Sequence, residues 1–471
     1  MQIAIATPGG CDQLTCLESA MLLRPLSSLL PRCFVNWFGV TWAVTMALPA
    51  VTLPARAADP LSFETVPVQV PSELREGTFD RERRLRVPKG FIIEVVARIA
   101  RARFLMGTPA GNLLVSQPAH GKIWLVRLDG DRSVQLLASG LRLPQGMAFK
   151  NIDGATYLYV GECNEIVRFR YDPASERVSN REVIVPNLPD ASSAGLGGAY
   201  GHELKNLAIG PDNKLYVDVA SATNASPSDT TSNPVRSAIY QYDLDGSHGR
   251  IFARGIRNAE GLDFLPGTGE LWAVVNERDE IRFPFHRPWR QGDGDDYGKR
   301  LSSYVDDHPP DELIHVKDGA NYGWPFANPD PDTPSGLDNM PFDPDYDNNP
   351  DWRRFPESTF TRVDKGIQAH SAPLGMAFLQ SSNVPEQVRH GLVTAYHGSW
   401  DRTRKTGYKV AYFPWTHDGR PGSQVDLVTG WLDDATQDVW GRPVDVKPGK
   451  DGALYISDDD SGTVYRLARA R

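Results

Sequence analysis

A short β-strand pattern that returns along the chain constrains the fold more than any other feature of the sequence. Each copy starts at a turn residue and continues with apolar, aromatic and β-branched residues, a composition typical of strands. The six copies begin at Gly111, Thr156, Asn213, Gly269, Gly391 and Gly452. A second strand pattern follows four of them, at 122–126, 165–169, 238–242 and 463–467. Strand pairs spaced mostly about 45–60 residues apart predict an all-β, six-bladed β-propeller.

An earlier strand pattern at residues 91–96 predicts how the ring closes. We expect it to complete the last blade beside the C-terminal strands, which removes an exposed sheet edge. The long gap between the fourth and fifth copies contains residues 283–304 and 328–352, both rich in Asp, Pro and other turn-forming or charged residues. We interpret them as long loops on one face of the propeller, where loops often carry function. Disordered insertions are the alternative.

The N-terminal residues have the pattern of a secretory signal peptide. Two arginines precede an uncharged apolar run at 34–48, and the small-residue site Ala55-Arg56-Ala57 follows it. The run is shorter than the ~20 residues that a membrane span needs. The predicted organisation is a signal peptide at 1–57, an N-terminal extension at 58–87 and the propeller at 88–471. We therefore expect an exported protein, periplasmic or secreted, without a membrane span in the mature chain.

Charge and cysteine content exclude several classes of function. The formal net charge of −9 disfavours nucleic-acid binding, which depends on Lys and Arg neutralising phosphates. Cys163 is the only cysteine after residue 57. The propeller is therefore expected to have no intrachain disulfide, no cysteine-based zinc site and no C-x-x-C-H haem attachment.

Polar motifs between the strand pairs are the candidates for chemistry, since loops on one face of a propeller converge on its axis. His202 could be a general base, because an ordinary histidine pKa of about 6.5 suits that role; a histidine that ties a loop is the alternative. Arg257 suits a ligand carboxylate, or a surface ion pair. The acidic and amide oxygens of residues 276–279 suit Ca²⁺ at a strand end, although a solvated turn would look similar.

Further motifs contain histidine and arginine. His370 lies in one of them, His397 and Arg402 in a second that is also rich in aromatic residues, and Arg442 in a third. Cations and aromatic rings together could hold a flat anionic ligand by charge and stacking. For the segment with His397 and Arg402, an exposed hairpin tip is the alternative. Cations from several loops that converge on one axis would suit a flat ligand with several carboxylates.

In their order, these motifs resemble those of the soluble PQQ-dependent glucose dehydrogenase and L-sorbosone (aldose sugar) dehydrogenase family, and the sorbosone-type branch more closely. The resemblance extends from about Pro88 to the C-terminus and includes Asn321-Tyr322-Gly323-Trp324-Pro325. It implies a propeller that binds PQQ and Ca²⁺ over its central channel. It also implies oxidation of an aldose or sugar aldehyde by hydride transfer to PQQ, with electrons passing to a separate quinone or cytochrome.

The resemblance also implies a role for each motif. His202 would be the catalytic base, assisted by Arg257. The positions that would hold PQQ are Arg257, Asn258, His370, His397, Arg402 and Arg442. Those of the calcium loop are Asn276, Glu277 and the carbonyl of Arg278. Two positions depart from the glucose enzyme, in which a lysine stands at His397 and an arginine at Val444; Arg402, Arg404 or Lys405 could compensate.

Two other functions remain open at the level of sequence. A calcium-dependent lactonase-type hydrolase would use the acidic loop and a histidine but would not need the arginines. A non-catalytic propeller that binds sugars or partners would keep the strand repeat and could lose His202. The fold alone does not distinguish these functions from a dehydrogenase.

Overall fold

The computed structural model describes residues 61–470 except 131, 293 and 381. The signal peptide predicted at 1–57 lies outside the described residues, so export stays a prediction. Within the described part, no helix has the length and apolar character that crossing a membrane requires.

Strands dominate the described residues. In chain order they are β1 (Phe63–Pro67), β2 (Arg84–Pro88), β3 (Phe91–Arg98), β4 (Leu105–Gly107), β5 (Leu113–Gln117), β6 (Lys122–Val126), β7 (Val134–Ser139), β8 (Met147–Ile152), β9 (Ala155–Glu162), β10 (Glu165–Asp172), β11 (Arg177–Val185), β12 (Leu207–Ile209), β13 (Lys214–Val219), β14 (Ala238–Asp243), β15 (Arg250–Arg254), β16 (Gly261–Phe264), β17 (Leu271–Val275), β18 (Asp311–Val316), β19 (Ala327–Pro329), β20 (Asp338–Met340), β21 (Phe342–Pro344), β22 (Val363–Ile367), β23 (Pro373–Phe378), β24 (Gly391–Tyr396), β25 (Lys409–Pro414), β26 (Val425–Val428), β27 (Pro443–Pro448), β28 (Leu454–Asp458) and β29 (Thr463–Arg469). The helices are α1 (Ser302–Val305), α2 (Glu386–Arg389) and six short 3₁₀ turns at 72–74, 77–79, 118–120, 227–231, 350–352 and 357–359.

Six antiparallel sheets form the blades, which confirms the predicted propeller. Their strand orders are β4-β5-β6-β7, β8-β9-β10-β11, β12-β13-β14-β15, β16-β17-β18-β22-β20, β23-β24-β25-β26 and β27-β28-β29-β3. The first strand of each blade contacts the first strand of the next, and β27 contacts β4. The first strands therefore form a closed ring around the central axis, with the hydrophobic core between neighbouring blades.

The last blade closes the ring as the sequence predicted. Strand β3 pairs antiparallel with β29, with Phe91 opposite Arg469 and Arg98 opposite Thr463. Ile93 and Val95 are fully buried in the core beneath this pairing. The N-terminal and C-terminal parts of the propeller thus share one sheet.

The residues before the ring form a β-hairpin that lies across this closure. Strands β1 and β2 pair with each other. Gln69 N–H donates to Ile93 O at 2.9 Å, and Arg86 N–H donates to Thr429 O at 2.8 Å. The hairpin therefore bonds to β3 of the last blade on one side and to the end of the fifth blade on the other.

The region between the fourth and fifth sequence copies is more structured than the sequence analysis expected. It contains β18, the third strand of the fourth blade, which the pattern search missed because its first two residues, Asp311 and Glu312, are buried acids. Strands β19 and β21 form a separate hairpin. In the first predicted loop, Phe283 and Tyr304 are buried and pack edge to face, with ring centroids 5.2 Å apart. These contacts favour ordered loops over the disordered alternative.

Candidate active site

The candidate residues converge because of where they stand relative to the strands. Arg103, Gln145, Asn206, Glu260 and Arg442 each come shortly before the first strand of a different blade. Other candidates directly follow the second strand of a blade, as residues 276–279, His397 and Asp459 do. Because the first two strands of a blade are antiparallel, the start of the first strand and the end of the second lie at the same end of the sheet. All of these side chains therefore belong to one face of the ring.

His202 has the hydrogen bonding of a base with a free lone pair. Its Nδ1 lies 2.9 Å from Ser221 O and 2.8 Å from Ser221 Oγ. A carbonyl can only accept, so we assign the proton to Nδ1, which leaves the lone pair on Nε2. Within the described residues, Nε2 has no hydrogen-bond partner. Burial, reinforced by the positive charge of Arg257, lowers the pKa of His202 to about 3, so the ring is neutral at neutral pH.

Arg257 lies beside this histidine and is largely committed to protein partners. Its guanidinium donates to Asn224 O, Asn224 Oδ1 and Asn276 O at 3.1–3.2 Å. It also pairs with Asp279 at 3.1 Å, with 6% of its side chain exposed. Of its five N–H groups, one on Nη1 is left for a ligand. The neighbouring Asn258 is buried, and its carbonyl accepts the N–H of Asn276 at 3.0 Å.

The predicted calcium loop, residues 276–278, lies next to Arg257. The side-chain amide of Asn276 donates to Pro373 O at 2.5 Å, which leaves its own oxygen available. The carbonyl oxygens of Glu277 and Arg278 accept no hydrogen bond from the described residues. The Arg278 side chain turns away and pairs with Asp345, and with Asp347 at 2.6 Å. The backbone of Arg278, rather than its side chain, is therefore what this loop can offer to a cation.

A group of buried carboxyl groups surrounds Glu277. Asp311 Oδ1 accepts the N–H of Glu277 at 2.9 Å, and its Oδ2 accepts the N–H of Ala372 at 2.9 Å. Burial raises the pKa of Glu277 to about 8 despite the nearby Arg257, and burial raises that of Asp311 to about 6. Neither oxygen of Glu312, which is also fully buried, has a partner in the described part of the chain. Such a concentration of acid favours a cation nearby.

His370 lies between two further carboxylates. Its Nε2 donates to Val305 O at 2.8 Å, and its Nδ1 is 3.5 Å from Asp279. Asp401 is 3.9 Å from Nε2. Burial lowers the pKa of His370, but the charges of Asp279, Asp311 and Asp401 outweigh it and leave the pKa above its ordinary value. The structure thus joins His370 to the acidic side of the site.

His397 forms the opposite side of the site. Its Nε2 lies 2.8 Å from Asp459 Oδ1, and Arg103 pairs with Asp459 Oδ2 at 2.8 Å. Although burial opposes it, contact with His397 and Arg103 holds the pKa of Asp459 well below its usual range. Burial lowers the pKa of His397, partly offset by Asp459. A histidine, a carboxylate and an arginine from three different loops therefore form one hydrogen-bonded unit.

The other basic residues named from the sequence donate hydrogen bonds to backbone carbonyls of loops. Arg442 donates from Nε to His397 O at 3.0 Å and from Nη2 to Gly398 O at 3.3 Å. Arg402 donates to Asp306 O and to Arg404 O. Arg404 and Lys405 donate to carbonyls of Asp434 and Gln437, respectively. Arg442 is thus next to His397, whereas Arg404 and Lys405 are directed to a loop at 434–437.

Besides Asp459, four residues that the sequence analysis did not single out complete the site. Arg103 donates to Gln145 Oε1 at 3.1 Å, and Gln145 donates to Glu260 Oε2 at 2.7 Å. Asn206 donates to the same Glu260 oxygen at 3.0 Å. This network links the His397 side to the Arg257 side across the axis. Its sequence signal is positional: Arg103, Gln145 and Glu260 stand one or two residues before the first strand of a blade, as Arg442 does.

The donor set fits a flat polyanionic cofactor and a hard cation. Arg103, Arg257 and Arg442 provide cations from three blades, and Asn206 Oδ1 and Ser371 Oγ are buried without a partner among the described atoms. The free carbonyl oxygens at 277–278 and the adjacent carboxyl groups are the ligand type that Ca²⁺ prefers. Asn206 and Glu260 also line a cavity of about 520 Å³ that lies along the ring of first strands. The network therefore borders open space at the axis.

Two solved structures with the same fold come from fungal enzymes. The holo PQQ domain of pyranose dehydrogenase from Coprinopsis cinerea has a TM-score of 0.64 at 21% identity, covering 82% of this chain and 97% of that domain. A calcium structure of a family AA12 enzyme from Trichoderma reesei has a TM-score of 0.65 at 21% identity, covering 82% and 96%. At this identity the likeness shows the fold alone.

Sequence comparison extends the likeness to a curated enzyme and to a family. A PQQ-dependent pyranose dehydrogenase from Coprinopsis cinerea is 25% identical over 349 residues, which are 64% of this chain and 43% of the fungal protein. The family model described as TrAA12-like matches residues 85–470. The resemblance to PQQ-dependent sugar dehydrogenases is thereby confirmed, and PQQ and Ca²⁺ fit this family. The match over nearly the whole propeller shows that the chain belongs to the TrAA12-like family.

Proposed function

We propose that this protein is a PQQ- and Ca²⁺-dependent dehydrogenase that oxidises the anomeric hydroxyl of an aldose or the hydrate of a sugar aldehyde. The observation that carries the proposal is His202, a neutral histidine with a free Nε2 beside Arg257, on a face with cations from several blades. Similar proteins named as PQQ-dependent sugar dehydrogenases support the substrate class and the cofactor. When bound, PQQ supplies a two-electron oxidant that accepts hydride, and Ca²⁺ polarises its carbonyl.

In this mechanism His202 removes the proton of the substrate hydroxyl. Its Nε2 accepts that proton as the neighbouring carbon loses its hydrogen as hydride, so a C–O single bond becomes a carbonyl. The Nδ1 bond to Ser221 O holds the ring in the tautomer that this step needs. The positive charge of Arg257 disfavours protonation of the resting ring and stabilises an oxygen that becomes more negative as the proton leaves.

The other residues position the cofactor and the metal. The free N–H of Arg257, together with Asn258 and Arg442, would bind carboxylates of PQQ. The carbonyls of Glu277 and Arg278 and the oxygen of Asn276 would bind Ca²⁺. We assign His370 and Arg402 to supporting this surface through the carbonyls of residues 305 and 306. Arg103 would provide the second cation that Val444 does not supply, because it lies beside His397 through Asp459.

The rim of the site suits a sugar. Trp400 is 71% exposed and borders a polar groove with Arg402 and Glu280. An exposed aromatic face beside charged side chains can stack on a sugar ring while its hydroxyl groups are hydrogen-bonded. The electrons then pass to a separate acceptor, as the lack of a haem attachment motif in the sequence predicts.

Reconstitution tests the proposal directly. The mature chain, stripped of metal with a chelator, is titrated with PQQ, with Ca²⁺ and with both, while a panel of aldoses and sugar aldehydes reduces an artificial dye. We expect dye reduction only when both are added, and a change in the PQQ absorption spectrum on binding. A propeller that shows no spectral change would overturn the proposal. Lactone hydrolysis that needs Ca²⁺ and ignores PQQ would favour the hydrolase instead.

A further inference from the structure

We infer that two insertions of the fourth blade, residues 280–310 between β17 and β18 and residues 317–362 between β18 and β22, form a second metal site. It would take a transition cation of the Zn²⁺ type on His308, Asp330 and Asp332. His308 follows helix α1, and the two aspartates follow strand β19. One ligand atom from each of the three residues lies within 4.8 Å of the others. This inference does not depend on the proposed function, since none of the three belongs to the candidate active site.

The orientation of His308 is what separates this cluster from an ordinary acidic surface. The ring is buried, with 2% of its side chain exposed. Its Nδ1 lies 3.1 Å from Tyr304 O and therefore donates to that carbonyl. In the neutral ring the lone pair is then on Nε2, which has no hydrogen-bond partner among the described residues. Metal-binding histidines almost always donate their other ring N–H to a carboxylate, a water or, as here, a backbone carbonyl.

Packing fixes the direction in which Nε2 points. The His308 ring stacks on Tyr304 at 4.2 Å between centroids, and the edge of Trp289 contacts it at 5.3 Å. From this position, Nε2 is 3.6 Å from Asp332 Oδ2. That separation is too long for a hydrogen bond. It is close to the ~3.4 Å between neighbouring ligand atoms in a tetrahedral zinc site with bonds of about 2.0–2.1 Å.

Among the described residues, the carboxyl groups of the cluster also lack a basic side chain that would balance their charge. Within the described part of the chain, no Lys or Arg forms an ion pair with Asp330, Asp332 or the nearby Asp343. Asp343 is buried and bonds to Tyr304 Oη at 3.4 Å. The side chain of Asp332 is 53% exposed, so a cation can enter from solvent and keep water as a further ligand. One imidazole nitrogen with carboxylate oxygens suits Zn²⁺ better than Ca²⁺, which takes oxygen ligands.

A cation at this site would cross-link the two insertions. His308 comes from the first and the aspartates from the second, and three residues before His308 the carbonyl of Val305 accepts the hydrogen bond of His370. The metal would therefore fix the segment that borders the candidate active site, which makes its role structural.

Zinc binding to the mature protein tests the inference. The chain is stripped of metal, saturated with Ca²⁺ and titrated with Zn²⁺ by calorimetry, and thermal unfolding is followed with and without Zn²⁺. We expect one zinc per chain and a higher Tm with zinc, as for any ligand that binds the folded state. Asp332→Asn, which changes an exposed side chain, should weaken binding at least ~10-fold. The double variant Asp330→Asn with Asp332→Asn should lose both the binding and the rise in Tm.

Two further variants identify the site. Asp295→Asn removes the exposed carboxylate that pairs with His286 at 3.0 Å in the same insertion, and it should bind zinc like the wild type. Asp401→Asn disrupts the cluster of Asp279, His370 and Asp401, whose ligand atoms are also within 4.8 Å of one another, and it should leave the binding intact as well. Zinc binding that survives in the double variant, or is lost in Asp401→Asn or Asp295→Asn, overturns the inference.

Discussion

At the scale of single residues, His202 illustrates how surroundings turn a common side chain into a base. The sequence offers a histidine before a strand, which could equally tie a loop. The structure gives it both features at once, because Nδ1 binds Ser221 and Nε2 has no partner in the described part of the protein. A histidine that only tied a loop would be expected to use both nitrogens or to face away from Arg257.

Replacing this base tests its role. His202→Ala should lower kcat by about 100-fold or more, the usual loss for a general base, while PQQ still binds. Single-turnover dye reduction and PQQ absorption measure the two effects separately. The matched control is His248→Ala, whose side chain is 83% exposed and pairs with Asp243; it should leave both unchanged. Near-normal turnover of the His202 variant would remove this residue from the mechanism.

The pKa of His202 predicts the pH profile. Because its pKa is lowered to about 3, the ring stays unprotonated as pH falls from 8 to 5, and kcat/KM should show no acid limb near pH 6.5. The same pKa affects stability, because the unfolded chain binds a proton on this histidine near pH 6.5 and the folded chain only near pH 3. His202 should therefore lower the free energy of unfolding as pH falls from 6.5 toward 3 and should have no such effect above pH 6.5. A pH series of kcat/KM over the range in which the protein stays folded measures this. An acid limb at 6.5 would contradict the burial of the ring.

Some site residues could be predicted from the sequence and others could not. His202, Arg257 and His397 stand out because chemically distinctive side chains interrupt strand patterns. Arg103, Gln145 and Asp459 do not, because their bonds reach residues 42 to 356 positions away in the chain, and no local pattern reports such contacts. Likewise, the sequence gives no sign that Arg278 turns its side chain to Asp345.

At the scale of elements, the strand repeat predicts the blades well because alternating burial is a local property of each strand. It fails at β18, because this strand begins with two buried acids, Asp311 and Glu312, instead of apolar residues. The sequence pattern predicts β3 correctly. Its alternating residues Phe91, Ile93 and Val95 are buried, in keeping with the core position that ring closure requires. Its pairing with β29 still depended on a topological argument, because nothing local indicates a partner about 370 residues away.

Ring closure predicts a contrast between two neighbouring isoleucines of β3. Ile93 is fully buried, so Ile93→Ala should lower the free energy of unfolding by about 2–5 kcal/mol. Ile92 lies on the opposite, partly exposed side of the strand, so Ile92→Ala should cost clearly less. Urea unfolding of both variants gives the comparison. Equal losses would mean that β3 does not bury one face against the core.

At the scale of the whole molecule, the propeller is held without a covalent cross-link after residue 57. Its single cysteine, Cys163, is 3% exposed, and burial raises the pKa of its thiol to about 11. Closure of the ring depends instead on β3 and on the β1–β2 hairpin, which bonds to both blades that meet there. The stability of the ring is therefore a matter of packing and backbone pairing.

The buried thiol predicts a chemical signature of this arrangement. In the mature chain at pH 8, Cys163 should react with iodoacetamide at least ~100-fold more slowly than in the urea-unfolded chain, since the thiolate is the reactive form and burial suppresses it. Mass spectrometry over time measures the rate. A reducing agent should not change Tm. Rapid labelling under native conditions would show that the second blade opens readily.

The pairing of β3 with β29 has a consequence for how the protein is made. Domains begin to fold from the N-terminal side while the chain is still being synthesised, but β3 cannot find its partner until residues 463–469 have left the ribosome. The same last blade brings Arg442, just before β27, and Asp459, just after β28, without which one side of the candidate site is missing. A nascent chain thus stays an open arc until residues 463–469 are available to pair with β3. Assembly of the candidate site is therefore tied to synthesis of the strand that closes the ring.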